Sequence, residues 1–366
     1  MRLDLGIAGT RGVPARYGGF ETFADELSRR LVARGHRVTV YARAGYVSRR
    51  RRFHHGVELV VLRRVHSKHL ETLVHAFSSA LVARARRHDV VLLCNAACAP
   101  VAPLFKAPVV LNVDGVERLR RKWGTFGRLW YRAAERLALG LADRCVADAV
   151  TIADYYQKRH GASLPVIPYG ADPARRVLPG AELARLGLAP DGYLLVVTRL
   201  EPENHATLVA EAFARVKTEK KLVIVGDAPY ARGEKLALRS LAERDPRLVL
   251  PGAVYGRRVR ELFSSAFAYV QATEVGGTHP ALLEGMALSP VVVANDVPEH
   301  REVLGENGLY YARNDVGSLA ALLAVIVDSP GRRARLGEGA RACVRERYSW
   351  DRVADGYESI FQELRR

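Results

Sequence analysis

Residues 3–31 read LDLGIAGTRGVPARYGGFETFADELSRRL, and three segments of different periodicity follow one another within them. Leu3–Ala8 is a short apolar run, the pattern of a strand buried on both faces. Gly9–Gly19 is an 11-residue loop with four glycines, two arginines and a tyrosine. Phe20, Phe23, Ala24, Leu27 and Leu31 then recur at helical spacing, and Gly35 ends the helix. Strand, glycine loop and helix form the first half of a βαβ unit, so the fold class is α/β with a parallel sheet.

The same alternation runs outward from this stretch. Strands are predicted at Arg37–Tyr41, Glu58–Leu62, Val90–Cys94, Val109–Val113 and Cys145–Ala147, and helices at Lys68–Arg86, Phe126–Leu141 and Ile152–His160. Pro165, Pro168, Gly170 and Pro173 punctuate the chain near residue 170 as a linker. A second series follows, with strands Tyr193–Thr198, Leu222–Val225, Arg247–Leu250, Ala268–Gln271 and Val291–Ala294. Its helices are Ala206–Val216, a segment around Lys235–Glu243, Val259–Ser265, Pro280–Leu288, Val316–Val327 and Arg332–Tyr348. A last amphipathic helix, Asp351–Leu364, lines up Val353, Tyr357, Ile360, Phe361 and Leu364 on one face. The expected architecture is two doubly wound, parallel-sheet lobes, residues 1–168 and 169–349.

A chain of 366 residues suits two such domains. No apolar run approaches the roughly 18–20 residues that span a bilayer, and MRLDLGIAGTRG lacks the layout of a signal peptide, so a cytoplasmic location is expected. Cys94, Cys98, Cys145 and Cys343 form no CxxC pair and read as buried thiols; metal binding by Cys94 and Cys98 is the alternative. The net charge is +17. It is uneven: residues 1–168 hold 29 Lys and Arg against 13 Asp and Glu, and the remainder 27 against 26. A basic lobe attracts an anionic partner such as an acidic substrate, nucleic acid or an anionic membrane surface; an arginine-rich composition that only aids solubility is the bland alternative.

The chemistry is expected at the carboxyl ends of the strands. The Gly9–Gly19 loop is neither GxGxxG nor a Walker loop. Its Gly18-Gly19 pair precedes a helix and offers backbone N–H groups to an anionic or hydroxylic ligand, unless it is a mere tight turn. In the second lobe Glu274-Val275-Gly276-Gly277-Thr278-His279-Pro280 leads into a helix. Pro280 suits the first helical position, Thr278 or His279 can cap, and the glycines let a phosphate approach the backbone. Glu284, one turn in, reaches a ribose hydroxyl pair, or else faces solvent. Arg199, after strand Tyr193–Thr198, can neutralise a diphosphate leaving group, or is an ordinary surface arginine. Asp114, in Asn112–Glu117, can accept a proton from an acceptor hydroxyl or orient a sugar; capping the next segment is the alternative. No Asp-x-Asp occurs, so leaving-group charge falls to Arg199, amides and a helix N-terminus, with neither metal nor cofactor required.

These residues resemble family-4 retaining glycosyltransferases of the GT-B fold, with two Rossmann-like lobes and an interlobe cleft. The closer likeness is to bacterial rhamnosyltransferase-like members, through GTRGVPARYGGFETF at 9–23. Further matches are NVDGVE (112–117), ADYYQKRHG (153–161), VIPYGAD (166–172), TRLEPEN (198–204), GDAPY (226–230), GAVY (252–255) and VGGTHPALLEGMA (275–287). The resemblance implies an acceptor on the first lobe, near Arg16, Tyr17, Gly18, Gly19, Glu21 and Asp114. It implies a nucleotide diphosphate sugar on the second, with Arg199 at the diphosphate, Gly276, Gly277 and Thr278 around the sugar and phosphates, and Asn204 and Leu283 as further donor-binding residues. Glu284 would meet the ribose and Tyr255 the base. It also implies that helix 350–366 packs back on the first lobe. Two positions depart from the broader family: Gly276 replaces the first Glu of a Glu-x7-Glu pair, and Asn204 replaces a Lys. His279 stands where the rhamnosyl subgroup shows Asn. dTDP-L-rhamnose is the donor by resemblance, with UDP- and GDP-sugars open, and the acceptor is a glycan or a lipid-linked sugar at the inner face of the membrane. The competing classes are a non-catalytic sugar-nucleotide sensor and an anionic-polymer binder gripping through Arg49–Arg52, His54 and His55; no recognition helix or aromatic stacking row supports nucleic acid as a partner.

Overall fold

A computed structural model describes residues 1–365 except 66, 68, 69, 122, 229, 230, 328 and 329. The chain divides into two compact units, residues 1–170 with 350–366, and residues 171–349.

The first unit holds β1 (Asp4–Ala8), α1 (Gly19–Ala33), β2 (Arg37–Arg43), β3 (Phe53–His54), β4 (Val57–Leu62), α2 (Glu71–Ala83), β5 (Val90–Cys94), β6 (Val109–Asn112), α3 (Thr125–Leu141), β7 (Arg144–Val146) and α4 (Val150–His160). Its seven strands run in the order β3-β4-β2-β1-β5-β6-β7. β1 lies between β2 and β5, parallel to both. Leu5, Ile7 and Ala8 are buried because a central strand has no solvent face. α1 buries Phe23, Ala24, Leu27 and Leu31 and ends where Gly35 takes a left-handed φ of +92°.

The second unit holds α5 (Ala181–Leu186), β8 (Tyr193–Val197), α6 (Ala206–Ala214), β9 (Lys221–Val225), α7 (Arg232–Arg244), β10 (Leu248–Gly252), α8 (Arg257–Ser265), β11 (Ala268–Gln271), α9 (Pro280–Leu288), β12 (Val292–Asn295), α10 (Pro298–Leu304), β13 (Leu309–Tyr311), α11 (Val316–Val327) and α12 (Pro330–Arg347). Its sheet, β10-β9-β8-β11-β12-β13, is parallel throughout. The final helix α13 (Trp350–Arg365) belongs to the first unit. Its Tyr357 ring packs 5.2 Å from Phe23 of α1, and Arg34 of α1 pairs with Asp355 and Glu358.

The sequence reading needs four corrections here. The first sheet is not wholly parallel: β3 pairs antiparallel with β4 through a two-residue turn in which His55 and Gly56 have φ of 48° and 81°. Two consecutive left-handed residues match the twist of a hairpin, but a two-residue strand leaves no periodicity to read. Ala96–Leu104, with Pro100 and Pro103 inside it, is a 3-10 segment that the alternation left unassigned. α5, α10 and β13 were also missed; each is at most seven residues long. The helix predicted to start at Lys68 begins at Glu71, and Lys68 itself lies outside the described residues.

Candidate active site

In the second unit the loops at the carboxyl edge of the sheet are tied to one another. Gly226, after β9, comes so close to the end of β8 that a Cβ there would sit 1.8 Å from the Thr198 carbonyl oxygen. Thr198 leads into half-buried Arg199, whose guanidinium makes no ion pair among the described residues. Its carbonyl accepts from the Asn204 side-chain amide at 2.7 Å and from the Glu201 N–H at 2.8 Å. Asn204, expected to bind the donor, is nearly fully buried and uses its Nδ2 in this turn. The same turn is stapled to the glycine loop, because the Glu274 N–H donates to the Glu203 carbonyl at 3.0 Å.

The glycine loop is held from below. Glu274 meets His205 at 3.1 Å and accepts from the Asn314 side-chain amide. Asn314 Oδ1 in turn accepts from Asn295 Nδ2 at 2.7 Å, and the same Nδ2 lies 3.2 Å from the Ala272 carbonyl. Gly276 lies beneath the His279 ring, where a Cβ would come 2.2 Å from Cε1. His279 is the N-cap of α9, and its side chain makes no capping hydrogen bond. The amides of Ala281 and Leu282 lie in the first turn, at the positive end of the helix dipole. Glu284 is half-buried one turn in, close enough to the buried Tyr269 to add to the upward push that burial gives its phenol. Leu283, a predicted donor contact, is fully buried, and its N–H stays in the helix on the His279 carbonyl. Tyr255 is exposed between β10 and α8, at the same edge. Of the GDAPY match, Pro229 and Tyr230 lie outside the described residues.

In the first unit the Gly9–Gly19 loop is braced by hydrogen bonds to α1. Glu21 accepts from the Arg11 N–H at 2.8 Å and Asp25 from the Ala15 N–H at 3.0 Å. Gly12, with φ of +108°, is pressed on Ala42, and the Arg11 guanidinium lies 3.3 Å from the centroid of the Tyr17 ring. Glu21, expected at the acceptor, is buried and braces this loop from beneath. Arg16 is exposed, Tyr17 half-buried, and Gly18 is the extended N-cap of α1. Asp114 takes a left-handed φ of +54°, with its N–H on Asn112 Oδ1 at 2.9 Å and its carboxylate accepting from the Tyr169 hydroxyl at 3.1 Å. Asn112 is oriented by its Nδ2, which donates to the Tyr357 hydroxyl at 2.8 Å.

Sequence reasoning missed Arg11, Asp25, Tyr169, His205, Glu274, Asn295 and Asn314. A usable signal existed for one of them: the polar residue closing the apolar strand Val292–Asn295 is costly to bury without a job. Among the described residues no group of three His, Cys, Asp or Glu side chains is placed to hold a metal ion. A cavity of about 660 Å³ lined by Asp4, His36, Arg37, Glu58 and Arg86 opens at the amino ends of β1, β2 and β4, the edge opposite these loops.

Two family profiles match the chain: "Glycosyltransferase Family 4" over residues 17–175 and "Glycosyl transferases group 1" over residues 191–329. Both profiles describe glycosyltransferases, and neither alone covers half of the chain. Its fold is GT-B. The sucrose-phosphate synthase of Thermosynechococcus elongatus superposes with a TM-score of 0.83 at 17% identity, over 99% of both chains. Anabaena HepE, solved in complex with UDP-glucose, superposes with a TM-score of 0.80 at 16% identity, over 99% of this chain and 100% of that one. In sequence, the chain is 26% identical over 246 residues to the D-inositol 3-phosphate glycosyltransferase of Xylanimonas cellulosilytica. That alignment covers 63% of this chain and 59% of the relative, so the chain spans under two thirds of the relative's length.

Proposed function

We propose that this glycosyltransferase holds a nucleoside diphosphate sugar on its second unit and transfers the sugar, with retention and without a metal ion, to a hydroxyl of a glycan or lipid-linked acceptor on the first. One observation carries the reading: Arg199, without an ion pair among the described residues, stands in the same tied loop system as the N-terminus of α9. A guanidinium and a helix N-terminus together supply the charge that a departing pyrophosphate needs. Glu284 takes the ribose hydroxyls, Gly276, Gly277 and Thr278 the phosphates and sugar, and Tyr255 the base. On the first unit, Asp114 and the amides of Gly18 and Gly19 orient the acceptor, with Arg16 and Tyr17 at its rim.

In the transfer, the anomeric C–O bond to the β-phosphate breaks and its electron pair leaves with the diphosphate. The acceptor oxygen bonds to the anomeric carbon from the same face and passes its proton to the phosphate oxygen that departs. The UDP-glucose bound by HepE favours a pyrimidine nucleotide, a class that includes dTDP-L-rhamnose.

The test is a thermal-shift panel of UDP-, dTDP- and GDP-sugars, followed by transfer assays with the sugar that binds. UDP- or dTDP-sugars should raise the melting temperature, EDTA should leave turnover unchanged, and Arg199→Ala should lose about 10²–10³ in rate. A variant within tenfold of wild type would remove Arg199 from the mechanism, and turnover that stops with EDTA would end the metal-independent reading.

A further inference from the structure

Two helices of the first unit turn large apolar side chains to solvent. A surface helix normally buries its large apolar side chains and exposes small or polar ones. α2 buries Ala76, Ser79, Ala80 and Ala83 and turns Val74, Phe77 and Leu81 to solvent, Phe77 at 47% and Leu81 at 50% exposure. Their spacing of three and four residues makes one continuous stripe. α3 buries Tyr131 among the small Gly127, Ala134 and Ala138, yet leaves Phe126 78% and Leu129 64% exposed, with Leu137 following two turns on. Both helices pack on the 3-10 segment Ala96–Leu104 and share its hydrophobic cluster, so they cover the same face of the sheet on either side of it.

The charge on this face has one sign. Arg128, Arg132 and Arg136 are exposed along α3, interleaved with its apolar residues, and Arg84 is exposed at the end of α2. The acids of the two helices, Glu71 and Glu135, are both buried. No helix among the described residues is long and apolar enough to cross a membrane. An apolar stripe fringed by arginine, on the unit that carries nearly all the excess positive charge, has the chemistry of a helix lying in an interface. A second copy of the chain fits poorly, because a symmetric pairing through this face would set arginines against arginines with no exposed acid on either helix to offset them.

We propose that the outer sides of α2 and α3 seat the protein on an anionic lipid bilayer, the aromatic and leucine side chains entering the headgroup boundary and the arginines contacting lipid phosphates. The full chain is floated with vesicles of equimolar phosphatidylglycerol and phosphatidylcholine, and with phosphatidylcholine vesicles, at low and high salt. Wild type should bind the anionic vesicles, more weakly as salt rises. Phe77→Ser/Phe126→Ser/Leu129→Ser should partition roughly 100-fold less, from the apolar area withdrawn. Arg128→Ala/Arg132→Ala/Arg136→Ala should lose the preference for anionic lipid. All six side chains except that of Phe77 project from one helix surface, and all six are exposed, so thermal melting should match wild type. Wild type left unbound, or a serine variant that binds as well as wild type, overturns the proposal. So does a wild-type dimer in sedimentation equilibrium that the serine variant dissolves, since the face would then be a subunit interface. No sugar nucleotide enters the assay, so its outcome and that of the transfer reading are separate.

Discussion

His300 is the residue on which the geometry beneath the Glu274–Pro280 loop converges. It is fully buried, its Nδ1 donates to the Asn295 carbonyl at 2.8 Å, and its ring lies 5.5 Å from that of His279. Burial brings its pKa down to about 4, so the folded protein keeps it neutral at a pH where an unfolded chain, at ~6.5, takes up a proton. The sign follows from proton counting: between pH 6.5 and 4 the unfolded state binds more protons, so stability falls as pH falls. His75, lowered to about 3 by burial and by Arg43, acts in the same direction. For His300 alone the full effect is on the order of 3 kcal/mol by pH 4. Urea unfolding of wild type and His300→Gln across this range should give the variant the shallower slope; parallel slopes would mean that the imidazole is not held neutral by the fold. None of this was readable from the sequence, where His300 sits in VPEHREV with nothing to mark its depth. The places of Arg199 and Glu284 in the fold were readable, because a strand end and a helix start impose their positions locally.

At the scale of elements, what could be read depended on length. Strands of four or more buried residues and helices of nine or more leave a period, and the Leu3–Leu31 stretch is read correctly for that reason. Ala96–Leu104 has no period because a tight 3-10 segment of alanines and prolines has no polar face, and the two-residue β3 has no pattern at all. Long-range partners are equally silent: Tyr357, on α13, shows helical spacing but not that its hydroxyl accepts from Asn112, 245 residues away. That bond links α13 to the loop after β6, since Asn112 also holds the Asp114 N–H. Tyr357→Phe keeps the ring against Phe23 and Phe361 and leaves a buried Asn112 amide without this partner. It should cost about 1–3 kcal/mol in urea unfolding. On the reading of Asp114 proposed above it should also raise KM for the acceptor with KM for the donor unchanged. A loss under about 0.5 kcal/mol with both constants unmoved would show that the amide has another acceptor and that α13 does not govern the loop.

For the whole molecule, charge and chemistry are distributed by unit. Residues 1–170 and 350–366 carry 32 Lys and Arg against 17 Asp and Glu, whereas residues 171–349 carry 24 against 22. A donor bearing two phosphates would be drawn to the more basic unit if net charge decided its seat. It goes instead, on the proposed reading, to the nearly neutral unit, because oriented amides and one guanidinium at contact distance outweigh a diffuse field screened within about 8–10 Å. The surplus of the first unit is then left for a surface rather than a small molecule. Hydrogen exchange on the intact chain separates the two effects. A saturating UDP- or dTDP-sugar should slow exchange at 199–204, 252–256 and 274–284 and leave 70–81 and 125–137 unchanged. Anionic vesicles should do the reverse, and raised salt should erase the vesicle effect before the nucleotide effect, since exposed charges are screened more than a partly buried pyrophosphate site. If the sugar nucleotide protected 9–25 in place of 274–284, the donor would belong to the basic unit and the division of labour argued from Arg199 and α9 would be reversed.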